Sequence, residues 1–231
     1  MIADRVAAVR ERIARAAKRA SRPPGDITLV GVSKTFPAES VRAAFASGVR
    51  HFGENRVQEA GAKIAGLADL QAGGLQWHLI GHLQSNKARK AAALFDVIQS
   101  VDSMEIAERL ARACRESGRT LRALLQVDLA AEAGKSGVPE AAVPDALRRM
   151  RGVEGLRVTG LMVLPPYLDP EEVRPYFHRL RILRDEVAKE GLLEGRDLSM
   201  GMSHDFEAAV EEGATIVRVG TAIFGERTVA A

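Results

Sequence analysis

The segment LVGVSKTFP, residues 29–37, places a lysine directly after an apolar run. This pattern predicts a buried strand that ends at Ser33 and Lys34. An amine held at a strand end and partly removed from water can bind a phosphate, act as a general base or form a Schiff base with a carbonyl compound. Lys34 is therefore the first candidate for chemistry in this chain.

Two later segments have the composition of an anion-binding site. Gly201 and Ser203 lie in MGMSHD, and Gly220 and Thr221 follow the apolar run at 215–219. Glycine leaves backbone N–H groups accessible to an anion, and hydroxyl side chains can donate hydrogen bonds to it. Taken singly, Ser203 could be a helix N-cap and Gly220 a turn residue. The two segments together favour a phosphate site.

The elements that must position these residues alternate along the chain. Segments with helical periodicity separate short apolar runs, and an amphipathic helix precedes the first run. The predicted strands are 27–33, 49–52, 76–80, 95–100, 122–127, 156–161, 197–200 and 215–219. The predicted helices between them are 37–47, 54–66, 84–93, 103–117, 139–150, 170–190 and 203–212.

This alternation predicts parallel strands joined by crossover helices. Eight such units favour a closed α/β barrel of the (β/α)8 TIM type over a doubly wound sheet, with the extra N-terminal helix outside it. The weakest strand is 197–200, whose four residues could also be a loop. At this length we expect one domain, residues 1–231.

Active sites of such barrels lie at the carboxyl ends of the strands, often with a phosphate between the last two loops. Strand one adjoins strand eight in a closed barrel, so Lys34 should face the glycines after 215–219. An amine and a phosphate site on one rim suggest pyridoxal 5′-phosphate. Arg218 alternates onto the same side as Gly220 and could face the pyridine nitrogen, or it could form an ion pair inside the barrel.

Several blocks resemble the pyridoxal phosphate homeostasis protein family, single-domain relatives of the alanine racemase N-terminal barrel. They are LVGVSKTFP, HFGENRVQE, WHLIGHLQSNK, GLMVLP, LSMGMS and VRVGTAIFG, in the family's order. The resemblance implies that Lys34 holds the cofactor as a Schiff base. It also implies positions for the other site residues: Ser203, Gly220 and Thr221 near the phosphate, Arg218 near the pyridine nitrogen, and Asn55 and Met162 lining the pocket. His204 departs from the acidic or small residue expected after MGMS.

An arginine at the pyridine nitrogen limits the catalysis that the resemblance implies. Arginine only donates hydrogen bonds, so the nitrogen must stay unprotonated, which makes the ring a weaker electron sink. A racemase also needs a base on each face of the substrate. In alanine racemases the second base is a tyrosine from another domain. Tyr167 and Tyr176 are the only tyrosines here, and Tyr167 is expected to pack within its loop.

The expected function is therefore a pyridoxal phosphate carrier or buffer in vitamin B6 homeostasis, with no catalytic residues and little or no catalysis. One alternative is a cofactor-dependent enzyme resembling amino-acid racemases. Another is a barrel enzyme for an unrelated sugar phosphate, with Lys34 as an anion ligand or an aldolase-type amine. The expected partners are pyridoxal phosphate and the apo-enzymes that use it.

Composition excludes several other classes of protein. Thirty-three Lys and Arg against 30 Asp and Glu, spread along the chain, do not indicate a nucleic-acid-binding surface. The sequence has no apolar run that would predict a membrane span, and the single cysteine, Cys114, cannot form an internal disulfide. We expect a cytoplasmic monomer. His78 and His82 fall on a strand, too far apart to share a metal, so no metal is expected, and the roles of His82 and His204 stay open.

Overall fold

The computed structural model describes residues 1–130 and 136–226, in which parallel strands form a closed barrel with helices outside it. The barrel strands are β1 Thr28–Val32, β2 His51–Glu54, β3 Gln76–Leu79, β4 Val97–Val101, β5 Leu121–Asp128, β7 Leu156–Val163, β8 Asp197–Ser199 and β9 Ile216–Val219. The sheet runs in the order β4-β3-β2-β1-β9-β8-β7-β5, and β5 pairs with β4 to close the ring.

The predicted α/β barrel is confirmed, including the uncertain strand at 197–200. That strand, β8, is short, but it pairs with β7 on one side and β9 on the other. The two-residue strand β6, Val138–Pro139, was not predicted. It pairs with the end of β5 beside the barrel and takes no part in the closure.

The described helices lie between the strands, except for α1, which precedes β1, and α9, which follows β9. They are α1 Ile2–Arg19, α2 Ala38–Ala46, α3 Val57–Ala65, α4 Ala88–Leu94, α5 Met104–Glu116, α6 Val143–Met150, α7 Pro170–Lys189, α8 Phe206–Glu211 and α9 Thr221–Phe224. Four helices, α3, α4, α6 and α8, begin three or four residues later than predicted. Strand β2 extends to Glu54, so α3 starts after Asn55, and the N-cap of α8 is Asp205, which leaves Ser203 in the preceding loop.

The N-terminal helix α1 covers the last part of the barrel. The helix after β9 has four residues, too few to cover the outside of that strand. Val6, Val9 and Ile13 recur at helical spacing and are buried, and α1 packs against α8 and α9. Arg12 and Arg19 on α1 form ion pairs of 2.8 and 2.6 Å with glutamates at 207 and 211 on α8. The predicted N-terminal helix thus completes the outer layer.

The buried apolar residues among those described form two separate cores. The larger lies between the helices and the outside of the sheet. The smaller consists of Val30, Leu124, Met162 and Ile216, which come from β1, β5, β7 and β9 and form the apolar part of the barrel interior. Within the described ranges, no helix combines the length and the apolar character that crossing a bilayer requires.

Candidate functional site

A cavity of about 750 Å³ opens at the carboxyl ends of the barrel strands. Side chains or backbone from the ends of β1, β2, β3 and β9, and from the loop before α8, line it. Six of the seven site residues expected from the sequence meet there: Lys34, Asn55, Ser203, Arg218, Gly220 and Thr221. Residues separated by almost 190 positions in the chain therefore share one wall, because β1 and β9 are neighbours in the closed barrel.

Lys34 leaves the barrel wall at a strained turn. The backbone N–H of Ser33 still donates to the carbonyl of Gly53 on β2, 3.0 Å away, and the chain turns directly afterwards. Thr35 has a φ of 68°, in the left-handed region that a β-branched residue rarely adopts. Strain of this kind persists only where the surroundings enforce it, and it concentrates at functional sites. The turn leaves Lys34 half-buried at the cavity.

A buried ion pair holds the base of this turn. Glu54, 1% exposed, accepts hydrogen bonds on Oε1 from the Ser33 hydroxyl and from Lys63 Nζ, both at 2.7 Å. Lys63 Nζ also donates to the Ser33 carbonyl at 2.7 Å. Sequence reasoning missed this cluster. The only available signal was a glutamate at the end of an apolar strand, and nothing local connects it with a lysine on the following helix.

Asn55 is held by the close approach of β3. A Cβ on Gly81 would lie 2.4 Å from the carbonyl oxygen of Asn55 and 2.9 Å from its Cα, so only glycine fits between the ends of β2 and β3. The glycine in WHLIGH therefore brings the Asn55 backbone to the edge of the cavity.

We expect Gly81→Ala to lower the free energy of unfolding by about 1–3 kcal/mol, because the added methyl group meets backbone that cannot rotate away. Urea denaturation of both proteins measures the change. Gly25→Ala is the matched control, since a Cβ there has nothing within 4 Å, and its stability should stay close to that of the parent protein. Equal stabilities for the two variants would contradict the steric role of Gly81.

The Ser203 hydroxyl joins the two predicted anion-binding loops. Its Oγ accepts hydrogen bonds from the backbone N–H groups of Gly220 at 3.1 Å and Ala222 at 3.4 Å. With these two donors on its oxygen, the hydroxyl hydrogen is directed elsewhere and can bind an anion. Thr221, exposed at the start of α9, places a second hydroxyl on the same wall. Ser203 is thus a bridge between loops rather than an N-cap.

Arg218 forms the floor of the cavity and is 2% exposed. One terminal nitrogen donates to Ser199 Oγ at 2.5 Å and the other to the carbonyl of Val163 at 2.8 Å. Burial lowers the pKa of Arg218 to about 10, and the negative charge of Asp205 opposes that shift. The guanidinium is therefore still protonated at neutral pH, and it is held from two sides by β8 and β7.

His204 and Tyr167 form the outer edge of the cavity. Their rings lie 4.3 Å apart between centroids, and His204 Nε2 lies 3.3 Å from Oδ2 of the buried Asp205. Burial raises the pKa of Asp205. The expectation that Tyr167 packs within its loop was wrong, because the side chain is 80% exposed. Pro165 and Pro166 fix the preceding backbone and keep the tyrosine on the rim.

The remaining predicted residues lie away from the main wall or at its edge. Met162 is fully buried in the barrel interior with Val30, Leu124 and Ile216, and it is not among the residues that line the cavity. His82 lines the cavity, with its Nδ1 3.0 Å from Asp102 Oδ2 and 2.9 Å from the Ser136 hydroxyl. His78 is buried inside the barrel, in a different environment from His82.

Residues 5–228 match the profile of the family described as "Alanine racemase, N-terminal domain". The pyridoxal phosphate homeostasis protein of Aquifex aeolicus is 42% identical over 225 residues, with 97% of each chain covered. That of Pseudomonas aeruginosa is 44% identical over 227 residues, covering 98% of this chain and 96% of its own. The chain belongs to the pyridoxal phosphate homeostasis protein family.

Solved structures agree with this membership. PipY of Synechococcus elongatus, solved with pyridoxal phosphate bound, is 44% identical with a TM-score of 0.85, and the match covers 97% of this chain and all of PipY. An alanine racemase of Clostridium difficile has a TM-score of 0.69 at 15% identity, covering 95% of this chain and 60% of the racemase. The family therefore shares its barrel fold with these racemases, and at this identity the likeness extends no further than the fold.

Proposed function

We propose that this protein binds pyridoxal 5′-phosphate as a Schiff base on Lys34 and takes part in vitamin B6 homeostasis as a carrier or buffer. The observation that carries the proposal is the meeting of Lys34, Ser203, Arg218, Gly220 and Thr221 around one cavity. Relatives with over 40% identity are named for this homeostasis, and PipY was solved with the cofactor.

The donors in the cavity match the chemistry of the cofactor group by group. The amine of Lys34 suits the aldehyde, and the hydroxyls of Ser203 and Thr221 suit the phosphate, which can approach closely at Gly220 because that residue has no side chain. Arg218 offers a charged donor to the pyridine nitrogen. Asn55 also lines the cavity, whereas Met162 is buried in the barrel interior and does not line it. The volume of the cavity lies within the usual range for small-molecule sites.

The charged state of Arg218 supports a carrier with little or no catalysis. When bound, the cofactor supplies an electron sink, and its strength depends on a protonated pyridine nitrogen. A guanidinium donates and does not give up its proton at neutral pH, so the nitrogen that faces it accepts. Arg218 therefore favours holding the cofactor over stabilising a carbanion, and we assign no catalytic residue.

We propose further that residues 1–231 form one domain that works as a monomer in the cytoplasm and passes the cofactor to apo-enzymes that require it. The single closed barrel supports one domain. A single cysteine, Cys114, which is buried on α5, supports a compartment in which disulfides do not form. The open cavity at one end of the barrel leaves the cofactor accessible to a recipient protein.

The visible spectrum of the purified protein tests the proposal. We expect a yellow protein, or one that turns yellow on addition of pyridoxal phosphate, whose visible band disappears on borohydride reduction. Peptide mapping should then place the reduced adduct on Lys34. A colourless protein that also fails to take up added cofactor would exclude the proposal. It would favour the sugar-phosphate alternative, since a site for phosphate alone forms no imine with pyridoxal.

The position of Tyr167 keeps a racemase-like enzyme as the second candidate. An exposed phenol at the rim, with its ring packed at a tilt against that of His204, is a group that could exchange a proton at the cavity that Lys34 also lines. Incubation of the loaded protein with alanine in deuterium oxide separates the two functions. Sustained entry of deuterium at the α-carbon that is lost in Tyr167→Phe supports an enzyme, and no entry supports a carrier.

A further inference from the structure

A chain of buried polar side chains runs from Arg218 across the inside of the barrel. Arg218 donates to Ser199 Oγ at 2.5 Å, and the Ser199 hydroxyl donates to Gln99 Oε1 at 2.6 Å. Gln99 Nε2 lies 2.8 Å from His78 Nδ1, and His78 Nε2 lies 3.0 Å from His51 Nδ1. Ser199 on β8 and Gln99 on β4 are not neighbours in the sheet, so their hydrogen bond crosses the barrel interior.

The chemistry of Arg218 fixes the direction of every bond in this chain. Arginine has no acceptor, so Ser199 Oγ must accept from it, and the Ser199 hydrogen is then available to Gln99 Oε1. The amide nitrogen of Gln99 consequently donates to His78 Nδ1. His78 must carry its hydrogen on Nε2, from which it donates to Nδ1 of His51. One charged group thereby specifies the tautomer of two imidazoles.

Burial makes this arrangement costly unless every member is satisfied. His78, Gln99 and Ser199 are each 0% exposed, and Arg218 is 2% exposed. Buried polar groups that lose a partner destabilise a protein, whereas fully satisfied networks fix one conformation. Each member presents a lone pair towards Arg218, so the aligned dipoles favour the positive charge. Burial also lowers the pKa of His78 well below its ordinary value, and that of His51, in agreement with two neutral rings.

We propose that Ser199, Gln99 and His78 are positioning residues for the cofactor, which keep the guanidinium of Arg218 fixed at the floor of the cavity. The proposal extends the proposed function, on which it rests, to residues that do not line the cavity. The carbonyl of Val163 fixes one terminal nitrogen of Arg218, and the relay of Ser199, Gln99 and His78 fixes the other. The remaining N–H groups then have one orientation towards a ligand.

The alternative is that these residues only fill the barrel interior. Filling would need no particular tautomer, and an apolar side chain of similar volume would serve equally well. The relay instead requires Nε2–H imidazoles in the protein without cofactor. It also requires that a substitution at Gln99 weaken cofactor binding only through its effect on Ser199.

The first experiment uses the protein free of cofactor and measures the nitrogen shifts of its histidines by NMR. We expect His78 and His51 to be neutral, protonated at Nε2 and unprotonated at Nδ1, between about pH 6 and pH 8. Gln99→Met keeps the length of the side chain and removes both polar atoms. Without the donor to its Nδ1, His78 should no longer be restricted to the Nε2–H tautomer. A His78 protonated at Nδ1 in the parent protein would overturn the relay, whether or not the protein binds pyridoxal phosphate.

The second experiment titrates pyridoxal phosphate into the variants and follows the visible band. We expect Gln99→Met and Ser199→Ala each to raise the dissociation constant roughly tenfold, because one hydrogen bond to a charged group loses its geometry. In the double variant the loss should also be roughly tenfold, since both changes break the same relay. Leu124→Met, a neighbouring apolar change in the barrel interior, is the matched control and should leave the constant within about twofold.

The outcomes separate the two proposals. A parent protein that does not bind pyridoxal phosphate contradicts the proposed function, and the histidine tautomers still decide the relay. A parent protein that binds, with Gln99→Met binding equally well, overturns the positioning role. The positioning role would also be overturned if the increases in dissociation constant of the two single variants multiply in the double variant. That result would show that Gln99 and Ser199 act independently.

Discussion

Lys34→Ala is expected to remove the visible band completely and to weaken pyridoxal phosphate binding at least about a hundredfold, or about 2.7 kcal/mol. Alanine has no amine to form the imine, while the other residues that line the cavity are unchanged. Ser203, Gly220 and Thr221, which we propose bind the phosphate, and Arg218 still line the cavity, so weak non-covalent binding should persist. An absorbance titration measures the first effect, and equilibrium dialysis measures the second.

Lys87→Ala is the matched control for this variant. Lys87 is a half-buried lysine in a smaller neighbouring cavity that shares Asn55 and His82 with the main one. The control removes a lysine of the same region without touching the main cavity wall, so its band and affinity should match those of the parent protein. A visible band that survives in Lys34→Ala and disappears in Lys87→Ala would show that Lys87, and not Lys34, forms the imine.

The barrel could be predicted from the sequence because its signals are local. Each parallel strand is buried on both faces and therefore appears as a short apolar run, and each crossover helix shows its own period. Only β8, with three residues, could not be distinguished from a loop by its own pattern, because so short a run shows no period. The position of active sites at strand ends then predicts that Lys34 and Ser203 share one rim, and the family resemblance adds Asn55; the structure places all three at one cavity.

The polar interior could not be predicted in the same way. A buried hydrogen bond between Gln99 and Ser199 joins positions 100 residues apart, and neither side chain differs locally from an ordinary strand residue. The alternation along a strand shows which face a residue occupies, yet it does not show which partner crosses the barrel. The error at Tyr167 had a similar cause. Its environment depends on where two prolines direct a loop past His204, which is a tertiary contact.

The ion pair beneath Lys34 gives the largest expected change in stability. We expect Lys63→Met to lower the free energy of unfolding by about 3–5 kcal/mol, because the substitution removes the cation from a buried ion pair and leaves the Glu54 carboxyl without it. Glu54 is 1% exposed and Lys63 is 12% exposed, so water cannot replace the lost partner. Urea denaturation at neutral pH measures the change. Lys90→Met, an exposed lysine on α4, is the matched control and should stay within about 0.5 kcal/mol of the parent protein.

A second substitution, at Glu54, separates the effect of the unpaired charge on stability from the effect of Lys63 on the position of the turn. Glu54→Gln in the Lys63→Met background removes the unpaired charge and should restore most of the lost stability, since the amide oxygen of the new side chain can still accept from the Ser33 hydroxyl. The Ser33 carbonyl would still lack the donor that Lys63 provides. We therefore expect the double variant to regain stability while its affinity for pyridoxal phosphate stays below that of the parent protein. Recovery of both together would mean that Lys63 stabilises the fold through its charge alone and has no part in orienting the turn that carries Lys34.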